Sequence, residues 1–416
     1  MRVLYVTASF PFGRGEAFIG PEVAALIGAG HQILLVPRSP SGEVLHAPAA
    51  AHLAVREALV SPRVAASAVR VAAARPAWAA RCAAALLWGG AHVRLSCFAK
   101  NCSILPKAFW LAGVAESWGA EHIHAHWAGT TASLAWMAAA MAGLPWSFTA
   151  HRWDIVENNA LESKIAAAAF ARFISEDGLR LARAACRQLG GNVRVIRMGV
   201  PIPAVAQFRP PSRVVFLCPA NLTPIKGHRF LIEAWSLLSD DLANAQLWLA
   251  GAGELDAALR SRVRELGLER SVRFLGAVPH ERLISMYASN RISAVVLPSI
   301  DAANGWHEGV PVVLVEAMGY GVPVVTTPTG AIPELVAPGS GFLVPPRDST
   351  ALAGAMRAVV SDPGLSIRIG AAGRRRAIEL HDIGRIAGEL AGAFESARRS
   401  RRRTAPRTPV ISRTAA

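Results

Sequence analysis

The sequence predicts an α/β protein of two lobes, each a parallel sheet covered by helices, and three observations predict it. Short continuous runs of valine, isoleucine and leucine alternate with helix-period stretches from end to end of the 416-residue chain. That is the pattern of strands buried on both faces. A proline-rich break from Pro201 to Pro211 interrupts the rhythm once, after which it restarts. Hydrophobic residues make up 52% of the chain and charged residues 18%, enough apolar surface for two cores and too much for global disorder.

Taken in chain order, the first lobe is expected over residues 1–200. Its strands are Val3–Phe10, Gln32–Pro37, His122–Trp127, Ser147–Arg152, Arg172–Ser175 and Val193–Met198, with helices at Glu16–Ala29, Thr130–Met141 and Asp177–Gln188. Residues 43–105 are rich in alanine and arginine and predict helices whose limits no period resolves. Residues 201–211 form the linker. The second lobe, 212–380, repeats the alternation with strands Val214–Pro219, Gln246–Ala250, Val272–Leu275, Ala294–Pro298, Val322–Thr327 and Phe342–Val344. Its helices are His228–Leu238, Leu255–Leu266, Glu281–Ser289, Val312–Met318, Ala351–Val360 and Ile367–Leu380. A helix over 381–397 is expected to return to the first lobe. Residues 398–416 have no apolar period and are expected to be disordered. Open parallel sheets bind ligands beyond the carboxyl ends of their strands, so two such lobes are expected to share a cleft.

Charge and composition exclude several classes. Lysine and arginine total 44 against 29 acids, a formal charge of +15; seven of the arginines lie from Arg398 onward, which leaves +8 elsewhere. Collagen, coiled coil and a disulfide scaffold are ruled out by composition. The most apolar long stretch, Val64 to Leu95, is broken by Arg70, Arg75, Arg81, Arg94 and Pro76, and each central arginine in a membrane span costs roughly 2.5–3.5 kcal/mol. Met1-Arg2 runs directly into a strand pattern, so no signal peptide is expected. Five cysteines, Cys82, Cys97, Cys102, Cys186 and Cys218, show no metal spacing and suit a reducing cytoplasm. The expectation is a cytoplasmic protein, at most peripheral at the inner face of a membrane through its basic tail. That tail has no aromatic residue, so nucleic acid is not an expected partner.

The strongest chemical signal is the segment HEGVPVVLVEAMGYGVPVV, which places Glu308 before a helix and Glu316 within it, eight residues on. The backbone amides of Val312 and Val313 at the helix start offer an anion site. Eight residues along a helix span roughly 12 Å, the spread of a nucleotide sugar from hexose to ribose, so one carboxylate can accept from each sugar with the diphosphate between. Lys226 is one of four lysines among 40 arginines and sits in a loop between strand and helix, where a point charge can meet phosphate. His151 ends a strand and Asp154 follows three residues later, either in the site or capping the next helix. His122, His124 and His126 alternate along one strand and share a face. A metal site is one reading of them; His126, nearest the strand end, is the best placed to reach a cleft. Gly13, Gly15 and Glu16 open the first helix, and Gly251 and Gly253 form a second glycine turn. Asp256 stands where a dinucleotide fingerprint needs a small residue.

The Glu308–Glu316 segment resembles the family 4 glycosyltransferases, whose hallmark is two glutamates with seven residues between them. The likeness continues through SFPFGRGEAFIGPEVAALIGAGH, EHIHAHWAGTTA, SFTAHRWDI, LCPANLTPIKGHRFLIEAWSLL, LWLAGAGEL, VRFLGAVPHERL and GAIPELVAPGSGFLVPPRD. EHIHAHWAGTTA and SFTAHRWDI resemble the branch that builds exopolysaccharides of the colanic-acid type. The resemblance implies two Rossmann-like domains facing across a cleft, the GT-B arrangement, and transfer of a hexose with retention from a nucleotide-diphosphate sugar to a lipid-linked or polysaccharide acceptor. It implies no cofactor and no essential metal. Lys226 would bind the donor diphosphate, Glu308 the sugar, Glu316 the ribose, and His151 would face the reacting carbon. The loop of Gly13, Gly15 and Glu16 would meet acceptor and donor phosphates. One departure is Asn221, where the family often has a second phosphate-binding arginine; Arg229 is the nearest substitute. The alternatives are a sugar-nucleotide epimerase on the same fold, a metal hydrolase built on His122, His124 and His126, and a non-catalytic carbohydrate-binding relative.

Overall fold

The computed structural model describes residues 1–13, 16–44, 56–74, 76, 77, 79, 80, 84, 94–238, 244–301 and 307–404. The expected site residue Gly15 and the tail beyond Thr404 lie outside them. The chain divides into two compact units, one of Met1–Phe173, Leu181–Ile196 and Ala387–Ala416, the other of Ile174–Arg180 and Arg197–Ile386.

The first unit is built on six parallel strands: β1 (Arg2–Thr7), β2 (Gln32–Pro37), β3 (His122–His126), β4 (Trp146–Ala150), β5 (Phe170–Phe173) and β6 (Val193–Val195). Their order is β2-β1-β3-β4-β5-β6, so the chain reverses direction across the sheet between β1 and β3. The helices α1 (Ile19–Gly28), α2 (Pro62–Ala74), α3 (Leu95–Ser103), α4 (Leu105–Trp118), α5 (Thr130–Ala142), α6 (Arg152–Glu157) and α7 (Leu161–Ala167) lie between them. The α2 and α3 segments fall in the alanine- and arginine-rich stretch. There, exposed alanine blurs the apolar period, and α2 buries only Val64. β1 stops at Thr7, three residues short of the expected end. The amides of Ala8, Ser9 and Phe10 turn to the Glu16 carboxylate instead of continuing the ladder.

A charged residue sits inside this core. Arg172 lies mid-strand in β5, fully buried, and its NH1 donates at 2.7 Å to Oε2 of Glu22, itself fully buried on α1 beside Ile19, Val23 and Leu26. A single buried charge would be prohibitive; the pair is tolerable because each group satisfies the other.

The second unit carries α8 (Glu176–Ala185) at its boundary and a second six-stranded parallel sheet. Its strands are β7 (Val215–Pro219), β8 (Gln246–Ala250), β9 (Val272–Gly276), β10 (Ala294–Leu297), β11 (Val324–Thr326) and β12 (Phe342–Leu343). The order β12-β11-β10-β7-β8-β9 is that of a doubly wound sheet, with its reversal between β7 and β10. The strands read as continuous apolar runs because helices cover both faces: α9 (His228–Ser236), α10 (Asp256–Glu265), α11 (His280–Ala288), α12 (Val312–Gly319), α13 (Ile332–Leu335), α14 (Ser349–Ser361) and α15 (Pro363–His381). Trp235, Leu247, Val295, Leu314 and Met356 are among the buried side chains of its core.

The last helix, α16 (Ile383–Thr404), runs through Arg398 and ends at Thr404, so the basic stretch expected to be disordered from Arg398 is helical for its first residues. Arg398 donates to Glu121 at 2.8 Å, which fixes it. Phe394 is fully buried, with its ring 4.9 Å from that of His122 and 5.8 Å from that of Phe170. Phe394→Ala is therefore expected to destabilise the protein by about 3–5 kcal/mol, measured by urea unfolding of the full chain. A loss under about 1 kcal/mol would show that α16 does not complete the core of the first unit.

Candidate functional site

In the second unit the candidate residues gather beyond the carboxyl ends of β7 and β10, where the sheet order reverses and ligands of such sheets bind. Lys226 ends a single 3-10 turn, Pro224–Lys226, just after β7. Its Nζ lies 2.6 Å from Oε2 of Glu308, which follows β10, and Ser299 Oγ donates to the same oxygen at 2.8 Å. The two loops are joined through the backbone by Ile300 N–H to Ile225 O at 2.8 Å. Gly227 makes the approach possible: it has φ +68°, and a Cβ there would stand 1.9 Å from the Pro298 carbonyl. A cation and a carboxylate, both mostly buried, are thus held ready at one strand edge, the cation suited to phosphate and the carboxylate to hydroxyl groups.

Glu316 lies on α12, 6% exposed, with Oε1 2.7 Å from Nε2 of the half-exposed His280. That hydrogen bond, chiefly, holds the His280 imidazole above its ordinary range. The sequence estimate of a continuous helix between the two glutamates needs correction. α12 begins at Val312 and Pro311 caps it in an extended conformation, so only the second half of the spacing is helical. Pro311 lies just outside the helix, not within its first turn. The amides of Val312 and Val313 precede the first intrahelical bond, from Leu314 N–H to Pro311 O, and α12 has no side-chain cap.

Other expectations resolve differently. Gly251 and Gly253 interlock two loops: a Cβ would stand 1.9 Å from Ala220 O at the first and 2.5 Å from Leu222 O at the second. Asn221 between them is exposed. Arg229, the nearest substitute, donates from its Nε to Glu233 at 3.0 Å on its own helix. His228 carries a signal the sequence reading missed. It is buried beside Lys226 with neither ring nitrogen hydrogen-bonded, and burial lowers its pKa to about 4.

In the first unit the reversal lies between β1 and β3. Glu16 turns back onto the end of β1. Its carboxylate accepts from Ala8 N–H at 3.1 Å, Phe10 N–H at 2.7 Å, Ser9 Oγ at 2.9 Å and the Trp127 indole N–H. Gly13, at φ +69°, donates to Glu43 O at 3.1 Å. His126 is fully buried and does not reach a surface. Its Nδ1 lies 2.9 Å from the Tyr5 hydroxyl and its Nε2 2.8 Å from Nε2 of His151. His122 and His124 bond to Ser147 Oγ, and His124 also to Thr149 Oγ1, so the three histidines do not converge on a point. No group of three His, Cys, Asp or Glu among the described residues is arranged to hold a metal ion.

Asp154 caps α6, as one reading of the sequence had it: Oδ2 accepts the His151 amide at 3.1 Å, and Oδ1 accepts the Gly129 amide at 3.2 Å. Burial raises its pKa to about 6 and lowers that of its neighbour Lys164, which donates to Ala128 O and Gly129 O, to about 7. Asp154 borders a pocket of about 370 Å³ lined also by Arg38, Lys100, Trp127, Thr130 and Glu157 among others. Trp127 was not read from the sequence. Its φ of +94° is strained for an aromatic residue, and its ring lies 4.3 Å from that of His151.

Residues 205–376 match the family model described as Glycosyl transferases group 1. Two similar relatives are the putative colanic acid biosynthesis glycosyltransferase WcaL of Escherichia coli strain K12, 36% identical over 39% of this chain, and the amylovoran biosynthesis glycosyltransferase AmsK of Erwinia amylovora, 35% identical over 39%. Each match spans about 40% of the relative's length. Among solved structures, Anabaena Alr3699/HepE in complex with UDP aligns over 95% of this chain and 100% of its own, with TM-score 0.66 and 19% identity. Sucrose-phosphate synthase from Thermosynechococcus elongatus aligns over 96% and 100%, with TM-score 0.69 and 19% identity. At that identity the likeness is one of fold: two α/β domains, each on a parallel sheet.

The His280–Glu316 contact makes a pH prediction. Because the folded pKa lies above the ordinary 6.5, the stabilisation is fully present below about 6.5 and is lost as pH rises through the folded value. An NMR titration of His280 should give a raised pKa that returns toward 6.5 in Glu316→Gln. An unshifted value in the parent would break the assignment.

Proposed function

We propose that this chain, which carries a glycosyl transferases group 1 domain over residues 205–376, is a retaining hexosyltransferase. It moves a hexose from a nucleotide-diphosphate sugar to a lipid-linked or polysaccharide acceptor in exopolysaccharide or cell-surface glycan synthesis. The observation that carries the reading is the Lys226–Glu308 pair at the sheet reversal, beside the uncapped start of α12. The names of the WcaL and AmsK relatives support the polymer class, and the UDP in the Anabaena structure supports a nucleotide donor. The run of arginines from Arg398 supports a location at the cytoplasmic side of the membrane, since such clusters attract anionic lipid.

The donor diphosphate takes the Lys226 ammonium from Glu308 and sits against the amides of Val312 and Val313. Negative charge growing on the departing nucleotide is met by groups already fixed in place, so little reorganisation is needed as the bond breaks. Glu308, released from the lysine, accepts from sugar hydroxyls. Glu316 accepts from the ribose, with His280 holding its other side. The sugar carbon passes through an oxocarbenium-like state, and His151 is the first unit's candidate for acting on it. No observation favours the epimerase or metal-hydrolase readings; His122 and His124 are committed to Ser147 and Thr149.

Calorimetric titration of the full chain with UDP, GDP and ADP tests this. One nucleotide should bind selectively, and Lys226→Ala should weaken it by roughly 1.5–3 kcal/mol, the worth of a charge-assisted hydrogen bond. A variant that binds as tightly as the parent removes Lys226 from the donor site, and a parent that binds none of the three overturns the reading.

A further inference from the structure

Five side chains in the core of the first unit form a continuous line. Arg172 NH1 lies 2.7 Å from Glu22 Oε2, and Glu22 Oε1 lies 2.7 Å from the Tyr5 hydroxyl. That hydroxyl lies 2.9 Å from His126 Nδ1, and His126 Nε2 lies 2.8 Å from His151 Nε2. Arg172, Glu22, Tyr5 and His126 are fully buried. They come from β5, α1, β1 and β3, and His151 stands at the start of α6. We propose that Arg172, Glu22, Tyr5 and His126 are positioning residues for His151: a one-directional hydrogen-bond relay that fixes its ring as the Nε2–H tautomer and closes it to proton transfer.

The direction follows from counting protons. Glu22 faces a buried guanidinium, and protonating it would strand that positive charge without a partner. Its second oxygen can therefore only accept, and Tyr5 has a single proton, which goes to it. The tyrosine oxygen is left with lone pairs, so His126 Nδ1 must carry the hydrogen between them. Burial first, and then the Arg172 charge, keep the His126 imidazole well below its ordinary pKa, so its other nitrogen is bare. His151 Nε2 must then donate. Burial and the same neighbours keep His151 neutral too, which leaves Nδ1 bare, and the Asp154 backbone amide meets it in the capping box of α6. His126 Nδ1 also lies 4.0 Å from Glu22 Oε1. A direct ion pair there would need a protonated imidazole in a fully buried site beside Arg172, and the tyrosine hydroxyl already bridges the gap. No link can be reversed without either neutralising Glu22 or placing two N–H groups, or two lone pairs, face to face.

The inference deepens the proposed function, on which its kinetic part alone rests: a ring with both nitrogens engaged shapes the site with Trp127 and neither gives nor takes a proton during transfer. The test is NMR of the full chain labelled with ¹⁵N-histidine. Two-bond nitrogen–proton correlations should show His151 as Nε2–H and His126 as Nδ1–H, both neutral from pH 6 to pH 8. In Tyr5→Phe, His126 loses its Nδ1 acceptor and both rings should show mixed tautomers. The turnover of glycosyl transfer should then fall about tenfold or more, as for partners that orient a functional ligand, with donor KM changed less than twofold. His151 seen as Nδ1–H or as imidazolium in the parent overturns the relay, and that spectrum decides even where the variant does not fold. Unchanged tautomers in a folded Tyr5→Phe also overturn it. A parent with the expected tautomers and no transfer activity would fault the glycosyltransferase reading while leaving the relay standing.

Discussion

At the carboxyl edge of a parallel sheet every ladder stops at about the same level, and the amides and carbonyls just beyond it must find other partners. In this protein buried charged side chains supply them. Glu16 gathers the amides of Ala8, Ser9 and Phe10 after β1. Asp154 takes two amides and Lys164 two carbonyls around the start of α5. Lys107, fully buried, donates to the carbonyls of Pro37, Arg38 and Glu57. Glu334, only partly buried, accepts from the amides of Glu176 and Asp177 in the second unit. The strand ends that form candidate sites are therefore rigid before any ligand arrives.

This bears on how lysine is used. Two of the four lysines, Lys107 and Lys164, are buried, and both donate to backbone carbonyls, while Lys226 is partly buried. A compact ammonium can sit inside a turn of carbonyls where a planar guanidinium cannot. Rarity among 40 arginines is thus a sign of burial as much as of chemistry. Lys226 is set apart by having a carboxylate partner at a sheet reversal, which its scarcity does not reveal.

The alternation of apolar runs and helical stretches was enough to locate most strands to within a few residues, because buried parallel strands carry their signal locally. Lys226, Glu308 and Glu316 were legible for a related reason: each sits in or next to a loop or helix that follows a strand. What was not legible depends on contacts distant in sequence. Glu22 and Arg172 are 150 positions apart, and nothing near either names the other. A faint signal did exist, an acid on the apolar stripe Ile19-Val23-Leu26 and a base inside the apolar strand FARF. That the Glu16 carboxylate folds back on its own strand end was not legible, because a helix-opening glutamate after glycines looks the same in either arrangement.

The Glu22–Arg172 pair also constrains how the sequence can drift. Losing one partner leaves a buried charge alone, at about 3–5 kcal/mol, whereas exchanging both for well-packed apolar groups is often close to neutral. Tyr5, His126 and His151 hang from that pair by bonds with one allowed direction. No single substitution leads gently away from this arrangement. The five positions are therefore coupled to one another, although they lie on five separate segments of the chain.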